Sequence, residues 1–291
     1  MLRPTYAFRL VFGTRRGLRS FTANFLAAAG LFSAVVQFVG QLYFHTTFPA
    51  PVTVTVITLL SCTIWAIARA YPRSRLEREF HNPGMTVCVE VGDLLEQETH
   101  LVIGFTDTFD TSVTEDRIIN HTALQGQFLQ RCYDGDQRRL DRELAQALAR
   151  HTPIGVEERG SKRLGKLTRY PVGTVAVLGT PQRHVFGVAY SRMGNDLVPR
   201  SSVDELWRSL TNLWEAVYEH GQRQPLSMAI IGSGAARIDQ LDRDALLKLI
   251  LMSFLAHARE LPICKDLRVI IHPGDVHALD LLELAAFLRS L

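Results

Sequence analysis

The sequence predicts a three-layer α/β domain with a mixed, mainly parallel sheet, preceded by an all-α membrane hairpin. Three observations predict this. Two long runs without a charged residue stand near the N-terminus, Phe21–Phe44 and Val52–Ala68. Through the rest of the chain, short apolar runs bounded by Gly, Pro or Asp alternate with helical periodicities. The stretch from Ala229 to Ile271 reads in order as strand, turn, helix and strand, one βαβ unit.

The first uncharged run is about the length that crosses a bilayer, and it is longer than the apolar region of a secretion signal. A short break, His45–Pro51, separates it from the second run. Arg3, Arg9, Arg15, Arg16 and Arg19 precede the first run, and Arg69, Arg73, Arg75 and Arg78 follow the second. The connecting turn has neither Lys nor Arg. Positive flanks stay on the cytoplasmic side, so both termini are expected there, as in a multi-pass membrane protein. The expected organisation is a basic segment at 1–20, spans at 21–44 and 50–70, a charged, proline-marked linker at 71–84, and the α/β domain at 85–291.

In the first span Ala27, Gly30, Ala34, Gln37 and Gln41 step by three and four, which places them on one helix face. Small residues allow close helix approach, and amides in lipid need hydrogen-bond partners. Two arrangements satisfy this pattern: packing on the second span of the same chain, or a seam between subunits.

In the cytosolic part, Met85–Val91, Leu101–Phe105, Gly173–Gly179, His184–Tyr190, Ser227–Gly232 and Leu267–Pro273 read as strands. Ile118–Cys132, Gln137–Arg150, Val203–Gly221, Leu241–Ala258 and Val276–Leu288 read as helices. A formal net charge of +3 on 291 residues gives no basis for binding nucleic acid. Cys62, Cys88, Cys132 and Cys264 form no CxxC, and His272 and His277 share a loop with no third ligand, so no metal site is expected. Asn120-His121-Thr122 matches a glycosylation acceptor, which has no meaning on a cytosolic domain.

Two features suggest where a ligand sits. Ligands of such sheets bind beyond the carboxyl ends of the strands, and Gly232-Ser233-Gly234 is at such an end. It reads either as a phosphate-binding turn of backbone N–H groups or as a tight turn with no ligand. It lacks the GKS/GKT of a Walker loop and comes too late in the chain for a dinucleotide fingerprint. Asp93, after the first strand, reads either as an acceptor for an amino group such as that of adenine or as a turn cap.

Gly92-Asp93-Leu94 before a strand resembles the opening of macro domains, and Ile231-Gly232-Ser233-Gly234 resembles their later phosphate loop. "GFTDTFDT", "IINHTALQGQFLQRCY" and "IGSGAARI", in that order behind a membrane hairpin, are similar to Thoeris antiphage defence effectors of the membrane-anchored type. The resemblance covers essentially the whole chain. It implies a macro-like fold that binds an ADP-ribose derivative, histidine-ADP-ribose in this type, made by a partner TIR-domain protein. Binding would lead to homo-oligomerisation and damage to the lipid bilayer, an abortive infection. By the resemblance, Asp93 and Leu94 meet the adenine end. Gly232, Ser233, Gly234, Ala235 and Ala236 cradle the diphosphate, with Arg237 nearby. Thr106, Asp107, Phe109, Asp110 and Thr111 stand where other macro domains carry NAAN, and Gln125, Gly126 and Gln127 close the distal wall.

The chain departs from hydrolytic macro domains in lacking NAAN and a polyglycine run. In those enzymes these elements hold the distal ribose and the attacking water. The resemblance therefore implies a reader without catalytic residues and without a cofactor. The alternative is a membrane-tethered ADP-ribosyl hydrolase, or an enzyme processing NAD derivatives, in which Asp107 or Asp110 activates a water. Either carboxylate would equally suit an amine or imidazolium at the ligand's distal end.

Overall fold

The computed structural model describes residues 8, 11–13, 15–43, 51–70, 75–81, 84–234 and 241–291. The chain divides into two compact units, Met1–Ser74 with Asp280–Leu291, and Arg75–Leu279.

In the first unit, α1 (Arg15–Tyr43) and α2 (Pro51–Ala70) contain apolar segments long enough to cross a membrane, Gly17–Gln41 and Val52–Ala70. Several of their polar residues bond to carbonyls of their own helices. Asn24 Nδ2 donates to the Ser20 carbonyl at 2.7 Å, and the hydroxyls of Thr58 and Thr63 donate to the carbonyls four residues earlier, each at 2.8 Å. The buried residues of the pair include Ala28 from α1 and Cys62, Ala66 and Ala70 from α2. The last three recur every fourth residue, a stripe of small side chains on which another helix can lie closely. Ala27, Gly30, Ala34, Gln37 and Gln41 lie elsewhere: all five are exposed, and a Cβ added at Gly30 meets nothing within 4 Å. The expected stripe therefore does not pack on the second span of its own chain. The last helix, α7 (Leu281–Ser290), belongs to this unit and is capped by Asp280. The helix expected over Val276–Leu288 is interrupted at Leu279, where the backbone is extended.

The second unit is built on one sheet. In chain order its strands are β1 (Arg75–His81), β2 (Gly84–Val91), β3 (His100–Thr106), β6 (Val175–Thr180), β7 (Arg183–Met193), β8 (Pro199–Arg200), β9 (Leu226–Met228) and β10 (Asp266–Ile271). The spatial order is β1-β2-β10-β9-β3-β7-β6, with β8 on the end of β7. From β2 to β7 every neighbour is parallel, while β1, β6 and β8 pair antiparallel. A separate ribbon pairs β4 (Gly155–Val156) with β5 (Thr168–Arg169).

Residues 75–81, inside the expected linker, are thus a strand. Its sequence, RLEREFH, is charged and mostly exposed because it forms the outer edge of the sheet. A charged edge also discourages pairing with other chains.

Alternation along β3 assigns the two faces of the sheet. Leu101, Ile103 and Phe105 join a core with Phe128 and Leu129 of α3 (Leu124–Cys132) and Leu140, Leu144 and Leu148 of α4 (Gln137–Leu148). Val102 and Gly104 point the other way, toward the layer of α5 (Val203–His220) and α6 (Arg243–Ala258). There Trp214 packs edge-on to Phe254 at 5.2 Å, and its ring N–H donates to Ser253 Oγ at 2.9 Å. Caps fix where these helices begin. Ser202 and Glu205 form a reciprocal capping box on α5, Asp242 accepts from Ala245 N, and Asp136 accepts from Arg139 N.

Two expected elements are shorter than their sequence patterns. The strand in Ser227–Gly232 leaves the ladder after Met228, and the helix in Ile118–Cys132 begins only at Leu124. Both truncations fall at the same place, the carboxyl edge of the parallel strands.

Candidate ligand-binding site

A cavity of about 480 Å³ opens at that edge. It collects the ends of β2, β10, β9, β3 and β7, together with the irregular stretch before α3. Of the residues expected at the site, Asp93, Leu94, Thr106, Asp110, Gln125, Gln127, Gly232, Ser233 and Gly234 line it. Ala235, Ala236 and Arg237 lie outside the described residues. A second, larger hollow of about 1030 Å³ wraps the free edge of β6 and contains none of the expected residues.

Gly232 has φ +88°, a left-handed conformation that a side chain opposes. The turn is closed from within, since Ser233 Oγ donates to the Ile230 carbonyl at 2.9 Å. Gly234 faces open space. Helix α6 starts only at Arg243, so the turn and the helix N-terminus are separate features. Arg243 lines the cavity and pairs with Asp275 at 2.5 Å. It follows the cap residue Asp242, and no sequence motif singled it out.

Asp93 caps the short helix Leu94–Glu96 through Leu95 N at 2.9 Å, and its second oxygen accepts from Arg131 of α3 at 2.5 Å. Partial burial pulls its pKa up. The hydrogen bonds from Arg131 and Leu95, with the nearby positive charge, outweigh that and hold the carboxyl below its usual range. An ionised carboxylate has about four acceptor positions, so Asp93 is a cap and still has room for an amino group.

The segment 106–111 differs from expectation. Asp107, Phe109 and Thr111 do not line the cavity. Asp107 is buried, accepting from Arg169 Nη1 and from Met193 N, both at 2.7 Å. Arg169 in turn binds Glu157 at 2.6 Å, which fastens the β4–β5 ribbon to the loop. Phe109 has φ +48°, and its ring is buried between Phe105 and Tyr170. Thr111 donates to Asp141 at 2.6 Å. Asp110 reaches the cavity wall, but its oxygens accept from Thr108 Oγ1 at 2.6 Å, Lys162 Nζ at 3.0 Å and Lys166 N. Both aspartates are thus held by a cation, Arg169 or Lys162, and by backbone donors. Gly126 is also structural: a Cβ there would lie 2.5 Å from the Asn120 carbonyl oxygen, so its absence lets α3 start beneath that loop. Gln125 Nε2 donates to the Asp110 carbonyl at 2.7 Å, tying the wall to the loop.

Tyr190 and Ser191 also line the cavity, although no sequence motif singles them out. They sit where β7 slips against β3: Phe105 pairs with Ala189, whereas Thr106 pairs with Ser191. This is a bulge, and only the register reveals it.

No curated protein matches the chain. Among solved structures it is similar to a single-residue mutant of the Oceanobacillus iheyensis macrodomain, with 12% identity and a TM-score of 0.48 over 75% of this chain and 100% of that one. It is also similar to another mutant of that macrodomain with ADPR (12%, 0.42, the same coverage) and to the macrodomain with ADP (11%, 0.41, the same coverage). The family model of the Thoeris protein ThsA macro domain matches residues 87–272, more than half of the chain. The chain belongs to the family of the Thoeris protein ThsA macro domain, a membership compatible with binding an ADP-ribose-derived ligand.

Proposed function

We propose that the protein is a membrane-anchored, ligand-gated effector of bacterial antiphage defence. In this reading the cavity at the carboxyl edge takes an ADP-ribose derivative, histidine-ADP-ribose, made by a TIR-domain partner. The observation that carries it is the order of Asp93, Gly232 and Thr106 along that edge. Asp93 follows β2, the glycine turn follows β9, and Thr106 ends β3. Adenine, diphosphate and distal sugar would lie in that order, with Arg243 supplying charge near the phosphates and Gln125 and Gln127 forming the far wall.

The protein binds its signal and does not turn it over. The carboxylates of Asp107 and Asp110 are committed to Arg169, Lys162 and backbone donors. Both termini are cytoplasmic, and the exposed face of Ala27, Gly30, Ala34, Gln37 and Gln41 is the seam between copies in the inner membrane. A glutamine facing lipid lacks partners, and a second copy supplies them. The ligand needs only to favour the assembled state over the free one.

The test reconstitutes the full chain in dye-loaded vesicles and adds ADP-ribose, histidine-ADP-ribose or NAD. Leakage with one ADP-ribose derivative, which is recovered unchanged, is the expected result. Hydrolysis of the ligand points to the enzyme, and no binding of any of them ends the reading.

A further inference from the structure

Resting on the reading that copies assemble in the membrane, we propose a surface on which they meet. The strand β1 of one copy adds to the outer edge of β6 of the next, head to tail, so that one sheet runs through successive α/β domains.

The two ends of the strand order are built differently. β1 (RLEREFH) is mostly exposed on both of its faces, so no helix of its own domain covers it. β6 (VAVLGT) carries no charge and lies along the hollow of about 1030 Å³, between α4 on one side and α5 on the other. In an antiparallel pair alternate residues direct their N–H and C=O groups away from the partner, so β6 offers free backbone groups to that hollow. An uncharged edge is a template for another strand. Here it is recessed between two walls, and a bare strand fits it as a tongue fits a groove. The lengths agree, seven residues for β1 and six for β6.

Charge identifies β1 of a second copy as the occupant. The pairings Leu101–Ser227, Ser227–Arg268, Arg268–Cys88 and Cys88–Glu77 form one row across the sheet. Glu77 and Glu79 therefore share the face of Leu101, the α4 side, while Leu76, Arg78 and Phe80 share the α5 side. On β6 the same rows put Leu178 on the α4 side and Val177 on the α5 side. The α4 wall of the groove carries Arg150, just beyond the helix end, and the α5 wall carries Glu215. Arg78, Glu79, Arg150 and Glu215 are all exposed, and none has an ion-pair partner among the described residues. Glu79 thus meets Arg150, and Arg78 meets Glu215. Two copies of β1 paired antiparallel about Arg78 would instead set Glu77 against Glu79, which disfavours that pairing.

Topology fixes the orientation. β1 opposes β2, β6 opposes β7, and the strands from β2 to β7 are parallel, so both edge strands run the same way. A second copy can bring β1 to β6 in parallel with its faces kept, or antiparallel with its faces exchanged. The first satisfies both charge pairs. The second sets Glu79 against Glu215 and Arg78 against Arg150. Copies in one orientation also suit chains anchored in one bilayer. Each added copy presents a new groove, so the contact builds a row or closes a ring.

The test is sedimentation of the full chain in detergent, with and without histidine-ADP-ribose. The unaltered chain should gain mass with the ligand. A β1 variant (Arg78→Glu with Glu79→Arg) and a groove variant (Arg150→Glu with Glu215→Arg) should each need roughly tenfold more protein to assemble. Both should keep the parent's melting temperature and ligand affinity. An equal mixture of the two variants restores complementary pairs and should assemble like the parent, as should a chain carrying all four substitutions. Assembly of either variant alone at the parent's concentration, or no rescue in the mixture, overturns this interface and leaves the ligand reading intact. An unaltered chain that binds the ligand without gaining mass removes the assembly reading, and the interface with it.

Discussion

Lys162 and Asp110 form an ion pair closed to solvent from both sides, with Nζ 3.0 Å from Oδ2 and side-chain exposures of 0% and 2%. Lys162 also donates to the Lys166 carbonyl at 2.6 Å, and Lys166 Nζ reaches the Phe109 carbonyl at 2.7 Å. The loop after β3 is therefore held by a second loop from far along the chain. Lys162→Met leaves a buried carboxylate without its cation and should cost about 3–5 kcal/mol. Replacing both partners, Lys162→Met with Asp110→Leu, should recover much of that loss. Unfolding followed through Trp214 fluorescence measures both; equal stability of the single variant and the parent would contradict the sealed pair.

The two glycines of the turn should respond differently. Gly232→Ala forces a side chain into a left-handed position and should destabilise the turn by about 1–2 kcal/mol, with at least tenfold weaker binding of ADP-ribose. Gly234→Ala meets no neighbour. It should leave the melting temperature alone and weaken binding only through the ligand, which calorimetry beside a thermal melt separates.

His100 gives the fold a pH dependence. It is buried, its Nδ1 accepts from His184 N at 2.9 Å, and Nε2 must then carry the proton shared with the Gly221 carbonyl at 3.1 Å. Burial lowers its pKa, the bond to Gly221 opposes this, and the charge of His184 lowers it further, for a net decrease. The unfolded chain, with a histidine pKa of about 6.5, then binds the proton more readily than the folded one. Stability from this residue is full above about pH 6.5 and is lost as pH falls toward the lowered folded value. The melting temperature should drop between about pH 7.5 and pH 5.5, and His100→Gln should shrink the drop.

Gln37→Leu with Gln41→Leu removes the polar end of the exposed stripe on α1. Binding of ADP-ribose to the full chain should be unchanged, while ligand-triggered dye leakage is lost. Leakage equal to that of the parent would separate the stripe from membrane damage.

Much of this architecture is legible in the sequence because its signals are local. An uncharged run, an apolar strand and a helical periodicity each depend on a few neighbouring residues. β1 is not legible, since an edge strand exposed on most of its positions carries the composition of a linker. The roles of Asp107 and Asp110 are not legible either. Their partners Arg169 and Lys162 are more than fifty positions away, and a lysine in a polar loop reads as solvated until the fold encloses it. The bulge at Tyr190 is a property of two strands together, and no single stretch contains it.

The brevity of β9 has a mechanical consequence. Its neighbours run on past it, β3 to Thr106 and β10 to Ile271, while it stops at Met228. The sheet is therefore notched at its centre. Within the sheet, β1, β2 and β10 on one side are joined to β3, β7 and β6 on the other through those three residues. A molecule lodged in the notch touches both rims and acts as a clasp. If it does so, hydrogen exchange at the ends of β3 and β10 should slow together as it enters.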